Sequence, residues 1–509
     1  MDTRGPEARE PEAREPRNRE PRNKLILFCD GTWFAMEAGT ETNIHLLAEM
    51  VGINMGSELS IRNTDTVKAR YYANGVGLGS TFMHYILDGA TGSSIQEECT
   101  NAYQYIVENY TPQFEIWMFG LSRGAYIIRS VAGMINNCGI IKPTLDKDGN
   151  IDPLITTMRC DRVYETYRLP AEWAHPQSGE MIEFRNRNSH DVKTPVKFMG
   201  LFDTVGSLGT PMPTVYRRSG GEGVATSEAS YDNNVLGFAS HSFYDTRISS
   251  VVEKVYHALS LHDRFYMFPP CLVNQSIGYR SGYRRDPKFE IHQKWFPGTH
   301  YDLCRQEFKL FRVGTSFPET VAAMPLNTFS STIRPNTVLS DLVLKWMLES
   351  IQREDPDHLV IPDIDEKIRE VVGRIRRGEN VGSGDVYDDL LQYLPFGHVI
   401  HSAYSLWSYI SCRFLPRRIT EPVEAFFGIN FIKLIVVCKE RLVTELKADV
   451  YHYEMPDLSL GGLCIGDLAK VSGDRYPSKA YEKFLVNQLD MGLIEKEDFA
   501  ARWGTKGGD

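Results

Sequence analysis

The residues best placed to do chemistry lie between Glu115 and Ile128, where Ser122 stands in Gly120-Leu121-Ser122-Arg123-Gly124. An apolar run, Ile116 to Phe119, precedes the motif and reads as a buried strand. A helix-like segment, Ala125 to Ile135, follows at once. Strand, Gly-x-Ser-x-Gly and helix is the setting of a nucleophile elbow. The turn is so tight that the positions two before and two after the serine must be without bulk, hence the two glycines. Such a turn lifts the Ser122 hydroxyl clear of the sheet edge. It also aims the first backbone N–H groups of the next helix, that of Arg123 foremost, at the space above it.

A serine nucleophile needs a base and a group that orients the base. The apolar run Val196 to Phe202 ends in Asp203-Thr204-Val205-Gly206, so Asp203 is the expected acid at the same sheet edge. Glu290 to Trp295 reads as the last strand, and the loop Phe296-Pro297-Gly298-Thr299-His300-Tyr301-Asp302 beyond it carries a histidine expected to be free of helix packing. Among 13 histidines, His300 fits a Ser…Asp…His chain order, with His262 as the alternative base and Asp302 as a nearby alternative carboxylate. His257 and His262 are expected in or beside a helix spanning Tyr244 to Leu261. The strand Leu25 to Cys29 ends in Asp30-Gly31-Thr32-Trp33. Its Gly31 or Thr32 N–H could complete an oxyanion hole, or Asp30 could simply stabilise a turn. Asp30-Gly31-Thr32 also invites comparison with aspartate-based phosphatases, but their attacking carboxylate would fall at Phe28, which has none.

These loops need a sheet to present them. Ala69 to Ser80 reads as a second strand running into a glycine-rich loop, and Ser93 to Asn109 has a helical period leading into the strand before Ser122. Strand, helix, strand, elbow, helix predicts a doubly wound, mostly parallel α/β sheet. Pro143 to Lys193 reads as helical insertions and loops, and Ser207 to Phe238 as a Gly/Ser/Thr-rich lid. Leu339 to Glu349 is helical, with Ser340 expected as N-cap; Glu354 to Tyr387 reads as a charged, solvated stretch. The domain expectation is a disordered charged repeat at 1–23, a catalytic domain with lid-like insertions at 24–350, and a mainly helical region at 351–509.

At 509 residues the chain is long enough for a large core. Its net charge of −10 argues against a nucleic-acid partner. Nine cysteines without a Cys-x-x-Cys suit a reducing compartment. No apolar h-region opens the chain, and the apolar run Phe426 to Cys438 is too short to span a bilayer, so the expected place is the cytoplasm. Phe396 to Phe414 is aromatic and apolar and ends in arginines. It reads either as a helix packed on the catalytic domain or as a peripheral membrane contact with Tyr404, Trp407 and Tyr409 at headgroup level. No cofactor or metal is expected, although Asp30, Asp203 and Asp302 would suit a cation if their loops converge.

Taken together, Phe28-Cys-Asp-Gly-Thr-Trp33, Tyr72-Ala-Asn-Gly-Val-Gly77, Phe119-Gly-Leu-Ser-Arg-Gly-Ala-Tyr126, Leu201-Phe-Asp-Thr-Val-Gly206, Phe296-Pro-Gly-Thr-His300 and Leu339-Ser-Asp-Leu follow one another in an order that resembles the α/β-hydrolase domain of type VI secretion phospholipase effectors. The resemblance covers roughly residues 24–350. It implies an α/β-hydrolase fold, a triad of Ser122, Asp203 and His300, and hydrolysis of lipid or phospholipid acyl esters. After His300 the chain reads Tyr301-Asp302-Leu303-Cys304-Arg305, where the family pattern runs Asp-Val and three glycines. That departure motivates the alternative of a catalytically silent hydrolase fold that serves as a scaffold.

Overall fold

The computed structural model describes residues 22–31, 41–56, 60–72, 92–169, 171–193, 195–205, 247–248, 251–260, 263, 270–275, 289–296, 298–306, 308–309, 332–333, 335–377, 399, 402–403, 406–407, 409–410 and 451–454. The Gly75–Gly79 loop, the 207–238 stretch, the 426–438 run, Thr32, His262 and residues 1–21 lie outside them.

Among the described residues an eight-stranded sheet forms the centre. Its strands are β1 (Asn23–Cys29), β2 (Ile61–Asn63), β3 (Val67–Tyr72), β4 (Phe114–Leu121), β5 (Val196–Phe202), β6 (Val252–Ser260), β7 (Glu290–Phe296) and β8 (Tyr451–Glu454). They lie in the order β8-β7-β6-β5-β4-β1-β3-β2, parallel throughout except that β2 runs against β3. The sequence explains the parallel core: Leu25 to Cys29 and Ile116 to Leu121 are apolar without alternation and buried along their length, as strands covered on both faces must be.

Alternate residues feed two hydrophobic clusters. Ile26, Phe28, Trp117, Phe119 and Phe198 face α1 (Asn43–Met50), α7 (Thr337–Glu354) and α8 (Ile364–Arg377). Leu25, Leu27, Ile116, Met118 and Met199 face α2 (Gly92–Asn109), α3 (Arg123–Cys138) and α4 (Pro153–Arg168), with α5 (Gly179–Asn188) adding Met181. On the first face an aromatic row runs across the strands: Phe28–Phe119 at 5.0 Å, Phe119–Phe198 at 5.4 Å and Phe198–Tyr256 at 4.9 Å between ring centroids. These pairs lie in the range where offset rings attract. The short helix α6 (His300–Cys304) closes the carboxyl edge beyond β7.

Three expectations are corrected. The stretch expected as a helix over Tyr244–Leu261 contains β6; its run from Val251 to Ser260 is buried from end to end but for Glu253, which suits a central parallel strand. His257 is therefore a strand residue. His300 is not free of helix packing but is the first residue of α6. The N-cap of α7 is Asn336, whose side chain accepts from the N–H groups of Val338 and Leu339, and Ser340 sits inside the helix.

Residues beyond 350 join the same core. Val360, Ile361, Ile364, Val371 and Ile375 are buried in the first cluster, and Lys24 of β1 pairs with Asp355 at 3.0 Å. The region expected to be mainly helical also supplies β8, which extends the sheet beside β7. Among the described residues no helix is long and apolar enough to cross a membrane.

Candidate active site

Ser122, Asp203 and His300 follow β4, β5 and β7, so all three sit at the carboxyl edge of the sheet, where open α/β sheets present ligands. Ser122 has φ 56° and ψ −115°, a left-handed conformation that costs a non-glycine residue on the order of 1–3 kcal/mol. Its N–H donates to the Phe202 carbonyl at 2.8 Å, which fastens the turn to β5. The flanking glycines are required by contact. A Cβ on Gly120 would lie 2.6 Å from the Gly124 carbonyl oxygen, and one on Gly124 only 2.0 Å from that of Cys29. The start of α3 is thus pressed directly onto the end of β1.

His300 stands between the other two. Its Nδ1 is 2.7 Å from Asp203 Oδ2 and its Nε2 is 3.0 Å from Ser122 Oγ, and all three side chains are buried. A carboxylate accepts only, so the imidazole proton belongs on Nδ1 and the Nε2 lone pair faces the serine hydroxyl. This line of groups can draw a proton from Ser122 and hold the resulting imidazolium against Asp203.

Each member is held by neighbours. Asp203 has φ 41°, a left-handed conformation that Asp tolerates better than most residues. Its carboxylate accepts from the Ser260 N–H at 3.0 Å and the Ser260 hydroxyl at 3.1 Å. The His300 N–H donates to Asp263 at 3.0 Å. Thr299 and Asp302 form a reciprocal capping box that starts α6. Asp302 Oδ1 also accepts from the Asn336 N–H at 2.7 Å, which joins α6 to α7. At the far end of α6, Arg305 in a left-handed C-cap reaches the buried Asp341, which Arg374 of α8 also grips through two bonds of 2.9 Å. His300 therefore rides on a helix clamped at both ends. Sequence reasoning missed Ser260, Asp263, Asn336 and Asp341. Ser260 and Asp263 would have been visible had β6 been read as a strand ending at the same edge.

The other candidates fall in different places. Asp302 spends its carboxylate on the capping box and on Asn336, away from the Ser122–His300 line. Asp30 is fully buried and accepts from Thr42 Oγ1 at 2.7 Å, Tyr71 Oη at 2.6 Å and the Gly31 N–H at 2.8 Å. Burial pushes its carboxyl pKa up against these three donors. The Gly31 N–H is thus engaged by its neighbour. Thr32, the other oxyanion candidate of that loop, and His262, the alternative base, lie outside the described residues. The Arg123 N–H belongs to the first turn of α3, whose N–H groups have no intrahelical partner. Asp30, Asp203 and Asp302 do not gather around one point; each is satisfied by donors of its own. Among the described residues, the three metal-ligand-type side chains whose ligand atoms all lie within 4.8 Å of one another are Glu41, His45 and Glu49, of which His45 and Glu49 form an ordinary i,i+4 pair at 3.3 Å.

Among known proteins, the chain is 27% identical over 154 residues to the uncharacterized protein YEL023C of Saccharomyces cerevisiae, an alignment covering 27% of this chain and 21% of that one. The chain thus spans about a fifth of that relative's length. Among solved structures, the Tle1 effector bound to the VgrG spike from the type 6 secretion system is 18% identical, with 56% of this chain and 51% of that one covered and a TM-score of 0.26. An uncharacterized protein from Pseudomonas aeruginosa is 14% identical over 82% of this chain and 64% of the other, with a TM-score of 0.29. The family model described as "T6SS, Phospholipase effector Tle1-like, catalytic domain" matches residues 23–350, well over half of the chain, and the chain belongs to that family.

Proposed function

We propose that the chain is a serine hydrolase of the α/β-hydrolase type that cleaves carboxylic esters of lipids, with Ser122 as nucleophile, His300 as base and Asp203 as its orienting acid. The observation that carries this reading is the pair of hydrogen bonds at His300, its Nδ1–H donating to Asp203 at 2.7 Å and its Nε2 accepting from the Ser122 hydroxyl at 3.0 Å, at the edge of a parallel sheet. Membership of a phospholipase effector family supports a lipid acyl ester as the substrate.

In this mechanism Ser122 Oγ attacks the ester carbonyl while its proton passes to His300 Nε2. Asp203 keeps the Nδ1 proton in place and stabilises the imidazolium. The tetrahedral oxyanion is met by the Arg123 N–H. One such donor lowers the barrier by about 3 kcal/mol. His300 then protonates the leaving alcohol. An acyl-enzyme remains on Ser122 until water, activated by the same imidazole, releases the acid.

We further assign residues 24–350, together with α8, to the catalytic unit, because α8 shares its core and holds Asp341. The test is hydrolysis of short p-nitrophenyl esters and of phospholipids by the wild type and by Ser122→Ala and His300→Ala. Loss in both variants supports the reading. Loss with Ser122→Ala alone moves the base to His262. A folded wild type inert on every ester replaces the hydrolase with the scaffold.

A further inference from the structure

His257 of β6 is a fully buried imidazole that stands against Thr204, the residue after Asp203. An imidazole is buried without penalty only where both ring nitrogens find partners, and here they do. Nε2 lies 3.3 Å from the Thr204 backbone nitrogen and 3.2 Å from Thr204 Oγ1. Nδ1 lies 3.1 Å from Oε1 of Gln293 in β7. A backbone N–H can only donate, so Nε2 is the bare, accepting nitrogen and the proton belongs on Nδ1. The far end agrees. The Val273 N–H donates to Gln293 Oε1 at 2.9 Å, and the Val273 carbonyl accepts from Gln293 Nε2 at 3.1 Å. The amide is thereby held with its oxygen toward Nδ1, and one neutral tautomer is specified from both sides.

What Nε2 holds is the turn that carries the proposed acid. Asp203 is left-handed at φ 41°, and such a conformation persists only where its surroundings over-determine it. Two successive N–H groups of the turn are anchored on β6: that of Asp203 on the Ala258 carbonyl at 2.8 Å, that of Thr204 on His257. The Thr204 carbonyl accepts from the Cys271 N–H at 2.9 Å, and the Cys271 carbonyl accepts from Arg129 of α3 at 2.7 Å. These bonds run from the helix that follows Ser122, through the turn at Asp203, to β7, the strand that leads to His300. His257 is the link between the turn and β7.

We propose that His257 is a positioning residue. As the neutral Nδ1–H tautomer it fixes the left-handed turn at Asp203 and ties that turn to the strand that delivers His300, without itself touching substrate. The proposal rests on the hydrolase reading for the reaction served; the tautomer and the hold on Thr204 rest on the ring's partners alone.

Two variants of the full chain separate the ends of the ring. His257→Gln sets an amide oxygen where Nε2 stood and keeps an acceptor for Thr204. His257→Asn is one methylene shorter, reaches only the Nδ1 position and keeps a donor for Gln293. The readouts are kcat and KM on a short p-nitrophenyl ester, the rate of fluorophosphonate labelling per folded protein, and urea unfolding. His257→Asn should lower kcat and the labelling rate by about tenfold, the ratio that one lost buried hydrogen bond carries, with KM unchanged. His257→Gln should stay within about threefold of wild type, although it too gives up one bond and some stability. Equal rates in the two variants, or rates that simply follow their stabilities, overturn the positioning role. The tautomer is read without turnover, from the nitrogen NMR spectrum of the chain labelled on histidine, with the His257 signals identified by their loss in His257→Gln. A protonated Nδ1 with a bare Nε2 is expected. An active wild type with the proton on Nε2 overturns the proposal and leaves the hydrolase standing. A wild type that hydrolyses no ester removes the hydrolase and with it the positioning role, while the expected tautomer would still uphold the ring's bond to Thr204.

Discussion

Gly124→Ala is the smallest change that reports on the elbow. A Cβ at this position meets the Cys29 carbonyl oxygen at 2.0 Å, its carbon at 2.5 Å and the Asp30 carbonyl oxygen at 2.6 Å. All three are backbone atoms, so no side chain can swing aside. Restoring an ordinary contact of about 3.4 Å requires α3 and β1 to part by about 1.4 Å, the difference between that contact and the 2.0 Å found. Overpacking of this kind costs about 1–3 kcal/mol of stability. The displacement falls one residue from Arg123 and two from Ser122. A separation of that size stretches the 3.0 Å bond between Ser122 Oγ and His300 Nε2 past hydrogen-bond length. A misplacement of about 1 Å is enough to lower a catalysed rate about a hundredfold. The assay is the second-order rate of Ser122 labelling by a fluorophosphonate, normalised to folded protein, beside urea unfolding. The expected outcome is a loss of about two orders of magnitude in labelling with a modest loss of stability. A Gly124→Ala protein that labels at the wild-type rate would refute the argument that the start of α3 is pressed onto β1.

Asp203→Asn should lower kcat by about ten-thousandfold while leaving the fold intact, because Asn tolerates the same left-handed backbone and only the charge and the tautomer it enforces are lost; steady-state kinetics and circular dichroism check this. Ser260→Ala should remove the 3.1 Å hydroxyl bond to Asp203 but keep the backbone donor, so kcat falls by only about two- to tenfold. Asp341→Ala should leave Arg305 and Arg374 without their shared carboxylate. Breaking a buried pair costs about 3–5 kcal/mol, and partial exposure of both arginines reduces this to about 2–3 kcal/mol in urea unfolding. Glu98 titrates higher in the folded chain than its ordinary 4.5, so the folded state binds its proton more tightly than the unfolded state does. Its contribution to stability is therefore present below the ordinary value and is lost as pH rises through the raised one. The unfolding free energy of Glu98→Gln should gain on that of wild type as pH climbs through that window, and a constant difference would contradict the shift.

Much of the fold was legible because parallel strands buried on both faces leave uninterrupted apolar runs, as at Leu25–Cys29, Ile116–Phe119 and Val196–Phe202. The elbow was legible for a local reason, since Gly120 and Gly124 answer contacts within a few residues of Ser122 or against the neighbouring strand. β6 was misread because Val251 to Leu259 mixes Val, Tyr, His and Ala in a run long enough for a helix, and length alone does not separate a buried helix from a buried strand. Reading it as a helix hid Ser260 and Asp263, which hold Asp203 and His300 from 57 and 37 residues away. The start of α6 was written in Thr299-x-x-Asp302, but Pro297-Gly298 pointed to a loop. The pairing of Arg123 with Glu98 of α2 had no sequence signal, since it joins the start of α3 to a residue 25 positions earlier on another helix.

The most direct test of the central claim is fluorophosphonate labelling of the wild-type chain, with the modified residue located by mass spectrometry and the rate followed against pH. The account predicts one adduct, on Ser122, formed at a rate that His300→Ala lowers by several orders of magnitude. Folded protein that takes up no label, or an adduct on Ser122 whose rate is unchanged in His300→Ala, would contradict it.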